Sequence, residues 1–309
     1  MKNIYDNILG SRNHDYTPNV IVNSPIKWAG GKRKSLPYIH RFLNAQTMKN
    51  KGCYYEPFCG SCSVALSLNF PKMVLNDKNK KLINFFIQLQ KNPHRLFNKI
   101  TKLSNQYNDL NVKDKEFFYY KIRDEYNGKN LCKGNGIKYA TYFWFLNKTG
   151  FNGIYRESKN GHFNIPFGKR ECPLPTWKHF ESANNRFKNT IFLSHNYVKL
   201  CKDIKENDIV YFDPPYLPES IEDNNFTSYI RYGFSVNEHI KLKNIIRSLS
   251  KKGTRIVLSN SNSKLTHGIY GDLEGFNMEV ISISRTISGL SKGRSNVSEM
   301  IIHNIDHGN

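Results

Sequence analysis

The sequence predicts an α/β fold: an open Rossmann-like sheet with helices on both faces, interrupted by an inserted module of helices and a hairpin. Three observations predict it. The apolar run Ile209-Val210-Tyr211-Phe212 stops abruptly at Asp213-Pro214-Pro215-Tyr216 and reads as a buried strand with a carboxylate held at its carboxyl end. Tyr54-Tyr55-Glu56-Pro57-Phe58-Cys59-Gly60 reads as strand and tight turn, with a helix start in the next residues. Between residues 85 and 190 the α/β alternation gives way to helical periodicity, and it resumes after Asp213. A chain of 309 residues holds one large domain or a domain with a sizeable insertion.

Residues 1–23 are polar and form an amino-terminal arm. Ser24-Pro25-Ile26-Lys27-Trp28-Ala29-Gly30-Gly31-Lys32 is a glycine-rich turn ahead of an amphipathic helix at 36–42, and its backbone N–H groups with Lys32 suit an anion. It lacks the spacing of a P-loop. After the Phe58 to Gly60 turn comes the strand Met73-Val74-Leu75, ending in Asn76-Asp77; an acid at the tip of a second strand accepts hydrogen bonds from a ribose diol. Helical periodicity covers 82–126, and an aromatic cluster lies at 139–145. In the loop-rich section that follows, Ile154-Tyr155-Arg156 and Phe163-Asn164-Ile165 flank Lys159-Asn160-Gly161-His162, a hairpin signal. A basic hairpin of this kind enters a major groove or is simply solvated. A helix at 237–250 and strands at 255–259, 278–283 and 298–302 complete the sheet, with Arg285, Ser288, Lys292 and Arg294 as phosphate contacts between the last two. The domain boundaries follow: 24–85 with 191–309 as the nucleoside-binding unit, and 86–190 as the insertion.

Lys and Arg total 46 against 25 acidic residues, a formal charge of +21, which suits a polyanionic partner but does not choose between DNA, RNA and a membrane surface. No stretch is long and apolar enough to span a bilayer. Six cysteines, at 53, 59, 62, 132, 172 and 201, show no paired spacing, and no apolar signal core precedes them. Reduced thiols without a metal, in the cytosol rather than secreted, are expected. The chemistry suited to Asp213-Pro214-Pro215-Tyr216 is attack by an exocyclic amine. Asp213 and the Pro214 carbonyl accept from the NH2 group while Tyr216 stacks on the base. A capping Asp before a rigid loop is the alternative.

Taken in order, Trp28-Ala29-Gly30-Gly31-Lys32, Glu56-Pro57-Phe58-Cys59-Gly60, Asn76-Asp77, Phe163-Asn164-Ile165-Pro166-Phe167-Gly168 and Asp213-Pro214-Pro215-Tyr216 give the chain a pattern that resembles Dam-type DNA adenine-N6 methyltransferases, the D12 class, α group. Phe226-Thr227-Ser228-Tyr229, Phe234-Ser235, His239, Ser259-Asn260-Ser261 and Arg285-Thr286-Ile287-Ser288 extend the similarity over residues 24–305. The resemblance implies a methyltransferase sheet with a target-recognition insertion, S-adenosyl-methionine as donor and double-stranded DNA as partner. It implies that Trp28, Ala29, Gly30, Lys32, Glu56, Pro57, Phe58, Gly60, Asp77, Asn196, Tyr197 and Asp213 hold the donor. It further implies flipping of the target adenine onto Tyr216. DNA contacts are expected from Lys27, Asn152, Arg156, Lys159, Asn160, His162, Asn164, Pro166, Ser228, Tyr229, Arg285 and Arg294, with GATC as the site read. A monomer, or two copies on one DNA site, is expected.

Two departures from the family pattern stand out. Cys62 replaces the second glycine of the Phe-x-Gly-x-Gly turn, where a Cβ and sulfur strain a positive-φ position or crowd the donor. Asn196 replaces the acid before an aromatic, Tyr197, with a neutral acceptor. Cytosine N4 or RNA adenine as target, and an inactive DNA-binding homologue, are the alternative functions.

Overall fold

The computed structural model describes residues 21–47, 52–128, 136–218, 234–284 and 296–305. Among them, β1 (Tyr54–Glu56), β2 (Met73–Asn76), β3 (Thr190–Leu193), β4 (Ile209–Phe212), β5 (Arg255–Ser261), β6 (Asn277–Ser284) and β7 (Asn296–His303) form one sheet in the order β3-β2-β1-β4-β5-β7-β6. β1 to β5 run parallel, and β7 is antiparallel to both of its neighbours. The apolar runs are continuous because the central strands are buried on both faces. Tyr54, Leu75, Ile209 and Tyr211 enter one core, while Tyr55, Val74, Val210 and Phe212 enter the other. The strand order reverses between β1 and β4, and the carboxyl ends of those two strands open the crevice where ligands bind in such sheets.

The first core receives α1 (Leu36–Thr47), which runs past the expected end at residue 42, and α2 (Ser63–Ser67). It also receives helices inserted between β2 and β3: α3 (Lys80–Lys91), α4 (Pro93–Asn108), α5 (Val112–Asn127), α6 (Ile137–Thr149) and α7 (Trp177–Arg186). Asn79 caps α3 by accepting from the N–H groups of Lys81 and Leu82, and Pro93 sits in the first turn of α4. The aromatic cluster at 139–145 is α6, whose Tyr139, Phe143, Trp144 and Phe145 are buried around most of its circumference. On the other face lie α8 (Tyr197–Cys201), α9 (Val236–Lys251) and α10 (Lys264–Tyr270).

The expected boundaries at 85/86 and 190/191 fall within secondary-structure elements. Residue 85 falls inside α3, and Thr190 is already paired with Met73 as the first residue of β3. The physical reason is a shared core: Leu82, Phe85, Phe86 and Leu89 of α3 pack in the same cluster as Tyr54 and Phe192 of the sheet. The loop-rich reading of 147–190 hid α7 and β3. Only Phe180 and Ala183 of α7 are buried, and β3 is a four-residue edge strand with Ile191 more than half exposed. The hairpin is shorter than its sequence signal. It consists of the single bridges Glu157↔Phe163 and Gly150↔Phe167 with a turn closed by Gly161 N–H donating to Ser158 O. No helix among the described residues is long and apolar enough to cross a membrane.

Asn147, fully buried on α6, accepts from Lys27 N–H at 2.9 Å and donates to Lys27 C=O at 2.7 Å. This pair ties the inserted helices to the segment that leads into Trp28. Asn147→Ala is expected to cost about 1–3 kcal/mol in denaturant unfolding and to raise amide exchange at Lys27 and Trp28. Unchanged exchange there would show that the segment is held by other contacts.

Candidate active site

The chain leaves β4 at Asp213, and three hydrogen bonds anchor the next residues. Leu217 N–H donates to Asn260 Oδ1 at 3.0 Å, and Ser261 Oγ donates to Leu217 O at 2.7 Å. His239 on α9 lies with Nε2 3.1 Å from Pro215 O and Nδ1 2.8 Å from the Tyr270 hydroxyl. Burial pushes this imidazole down to about 4, so the ring is neutral at pH 7. The tautomer that satisfies both contacts donates from Nε2 and accepts at Nδ1.

Lys32 comes from the 3-10 turn Lys32–Lys34 ahead of α1. Its Nζ sits 2.8 Å from Asp213 Oδ2, donates to Gly30 O at 2.7 Å and lies 4.7 Å from the centre of the Tyr216 ring. Burial raises the Asp213 carboxyl to about 6, against the opposing pull of Lys32, with nearby Glu299 adding to the rise. The Tyr216 hydroxyl donates to Glu299 Oε2 at 3.1 Å.

These residues form one wall of a cleft of about 860 Å³, which the Trp28 to Lys32 segment and the Phe58 to Gly60 turn complete. Glu56, at the end of β1, accepts from the Tyr54 hydroxyl at 2.6 Å, and burial drives its carboxyl up to about 8. Asp77 accepts from the N–H groups of Gly60 at 3.2 Å and Asn79 at 2.8 Å; burial again raises its pKa. Gly60 has φ +46, and a Cβ there would lie 3.1 Å from the Trp28 ring, so the turn needs a glycine. Of the lining lysines 32, 34 and 78, Lys32 alone is buried, so poorly solvated carboxyl groups outnumber buried cations. Such a site favours a cationic ligand.

Cys62 does occupy the left-handed region, at φ 57, as the cap of α2. The backbone strain expected at this position is therefore present, of the order of 1–3 kcal/mol. The crowding is not: Cys62 is fully buried in the core, and the neighbouring Cys59 lines the cleft instead. Pro57 is held behind the turn, its carbonyl accepting from Asn76 Nδ2 at 2.9 Å. Asn196 and Tyr197 do not line the cleft. Asn196 caps α8 by accepting from Val198 N–H, and the buried Tyr197 donates to Glu238 and packs against Phe58, which does line it.

The residues expected to meet DNA alternate along the hairpin. Asn152, Arg156 and then His162, Asn164, Pro166 are exposed, while Gly153, Phe163, Ile165 and Phe167 are buried. Arg156 Nε donates to Asn164 Oδ1 at 2.9 Å, which aligns the two side chains. The hairpin is tied to α3 by Lys81, which pairs with Glu157 at 2.8 Å and donates to Gly161 O at 2.6 Å. Lys27, exposed, packs beside Gly153; Lys159 and Asn160 are exposed at the turn. Ser228, Tyr229, Arg285 and Arg294 lie outside the described residues.

Glu299, Ser35 and the anchoring role of Asn260 were not identified from sequence. A signal for Glu299 existed: in β7 it shares a strand face with Ile301 and His303, both buried, so a carboxylate stands at an inward position.

The family model described as D12 class N6 adenine-specific DNA methyltransferase matches residues 28–287. The type II methyltransferase M1.LlaDCHI of Lactococcus lactis subsp. cremoris is 33% identical over 281 residues, covering 90% of this chain and 94% of the relative. M.MjaIII of Methanocaldococcus jannaschii, also a type II methyltransferase, is 34% identical over 294 residues, with 90% and 98% covered. A DNA adenine methylase of Vibrio cholerae is 30% identical over 278 residues, with 89% and 94% covered.

The Lys32–Asp213 pair gives a direct measurement. Carbon-13 NMR of labelled aspartate is expected to find Asp213 titrating at about 6. In Lys32→Met the titration moves upward, by about 1–3 units, because the favourable charge is gone and the burial remains. A downward move would mean that the pair is not formed in solution.

Proposed function

The chain belongs to the D12 class of N6 adenine-specific DNA methyltransferases, and from that premise we propose that it methylates adenine N6 at a short specific site in duplex DNA, GATC, using S-adenosyl-methionine. The observation that carries the proposal is the junction of Asp213, Lys32 and Tyr216 at the switch point of the sheet, beside a cleft with an excess of buried carboxyl groups. When bound, S-adenosyl-methionine supplies an electrophilic methyl group on a sulfonium. The residues present fit such a ligand: Glu56 and Asp213 suit its cationic part, Asp77 suits a ribose diol, and Phe58 offers an apolar face.

The chain's own part is to prepare the amine. In the proposed pose Asp213, kept ionised by Lys32, accepts a hydrogen bond from the adenine NH2, which raises electron density on a nitrogen otherwise conjugated with the ring. The Tyr216 ring carries the base, which must leave the duplex to reach it. His239 and Asn260 hold the loop, so neither the carboxylate nor the ring has to reorganise during transfer. Once the nitrogen has gained the methyl group it must lose a proton, and a carboxylate with a pKa of about 6 is a competent first acceptor. Target reading is assigned to the exposed row on the hairpin, with Arg156 directed at a base edge. The basic chain, +21 overall, supports nonspecific attraction to the duplex. One copy acting alone is the proposed working unit.

The decisive experiment is transfer of labelled methyl to duplex DNA, with nucleoside analysis, sequencing of modified positions and Asp213→Ala as control. N6-methyladenine in GATC is expected, and Arg156→Ala should relax discrimination at one base by about 1–3 kcal/mol. N6-methyladenine elsewhere refutes the GATC reading, and N4-methylcytosine refutes the target base. Binding of the donor is expected to release protons and to tighten as pH rises from 6 to 8, because a cation beside Glu56 and Asp213 favours their ionised forms. Calorimetry in two buffers of different ionisation heat measures this. Proton uptake would rule out a cation beside these groups.

A further inference from the structure

Tyr216 is held at two ends. Its backbone side is fixed through Leu217, which both Asn260 and Ser261 engage. Its ring side ends in a hydroxyl that donates to Glu299 Oε2 at 3.1 Å, and the same oxygen accepts from Ser35 Oγ at 3.1 Å. Glu299 is buried and enters the site from β7, where it is paired with Ser261 at the carboxyl end of β5. Because β7 runs antiparallel, its first residues reach the crevice edge that the parallel strands leave with their last. A buried carboxylate needs hydrogen-bond donors, and two donors to this one belong to elements that wall the cleft: the loop after β4 and the turn before α1. A phenylalanine at 216 would offer the same stacking face and lack the anchor.

We propose that Glu299 is a positioning residue for methyl transfer: its carboxylate, braced by Ser35, fixes the angle of the Tyr216 ring and so the height at which the target adenine is presented to Asp213. The proposal rests on the reading of Tyr216 as the platform for the flipped base. Rotation of an unanchored ring shifts a stacked base by a fraction of its own thickness, and misplacement on the scale of 1 Å lowers a transfer rate by up to about 100-fold.

The test uses the full chain, saturating S-adenosyl-methionine, and a duplex with 2-aminopurine in place of the target adenine, alongside single-turnover methylation of the ordinary duplex. Glu299→Ala and Tyr216→Phe are each expected to slow single-turnover transfer by about 10- to 100-fold, and the double variant to be no slower than either alone. Glu299→Gln, which keeps an acceptor oxygen, restores the rate to within about threefold of wild type. Donor affinity stays within about twofold in all of them, because the hydrogen bond serves the base and not the donor. The fluorescence of flipped 2-aminopurine, quenched by a fixed stacking partner, rises in Glu299→Ala and Tyr216→Phe alike. Additive losses, wild-type rates in Tyr216→Phe, or an unchanged fluorescence in both variants would overturn the role of Glu299. Should Glu299→Ala fail to fold, Tyr216→Phe and Ser35→Ala carry the same comparison. A wild-type protein that methylates but whose bound 2-aminopurine is no dimmer than in Tyr216→Ala would instead overturn the platform reading itself, and the proposal with it.

Discussion

The site depends on one buried ion pair. Lys32 and Asp213 are 181 positions apart in the chain and meet at 2.8 Å, with the lysine side chain 6% exposed and the aspartate 18%. Neither charge is stable in that place without the other. Removing one partner of such a pair leaves a buried charge uncompensated, at a cost of about 3–5 kcal/mol. The pair therefore fastens the glycine-rich segment before α1 to the end of β4, and the cleft lies between them. The same contact keeps a carboxylate ionised near neutral pH in a place whose burial pushes it up to about 6. Structural closure and chemical readiness are one interaction.

Around that pair the carboxyl groups are arranged as a graded set. Glu56 is pushed to about 8, Asp213 to about 6, and Asp77 is raised while two backbone N–H groups steady it. Burial is the first cause in each case, so each group is poorly solvated before any ligand arrives. A cation entering the cleft would favour the ionised form of all three. The strained Cys62 is buried in the core and does not line the cleft.

The inserted helices are not an appendage on a finished sheet. α3 buries its apolar side in the same core as β1 and β3, α6 threads the middle of the insertion, and Asn147 reaches from α6 to the backbone of Lys27. The hairpin is in turn clamped to α3 by Lys81. The row of exposed hairpin residues is thus tied through Lys81 to the helices that share the core of the sheet.

By itself the sequence determined the buried central strands and the residues that follow their ends. Runs such as Ile209 to Phe212 admit little but a doubly buried strand, and Asp213-Pro214-Pro215-Tyr216 stops it in a fixed conformation. The glycine turn, Asp77 at the tip of β2 and the basic hairpin were legible for the same reason, since each follows from local backbone rules. What the tertiary structure decided were relations between distant residues. Glu299 is a lone acid in an apolar strand until the antiparallel entry of β7 sets it beside Tyr216 and Ser35. The capping role of Asn196 at the start of α8 likewise appears only in the structure. Core packing, which no local pattern encodes, places α3 in the same cluster as the sheet. Local sequence sets backbone conformation over a few residues, whereas burial, ion pairing and shared hydrogen-bond acceptors arise only when the chain has brought its segments together.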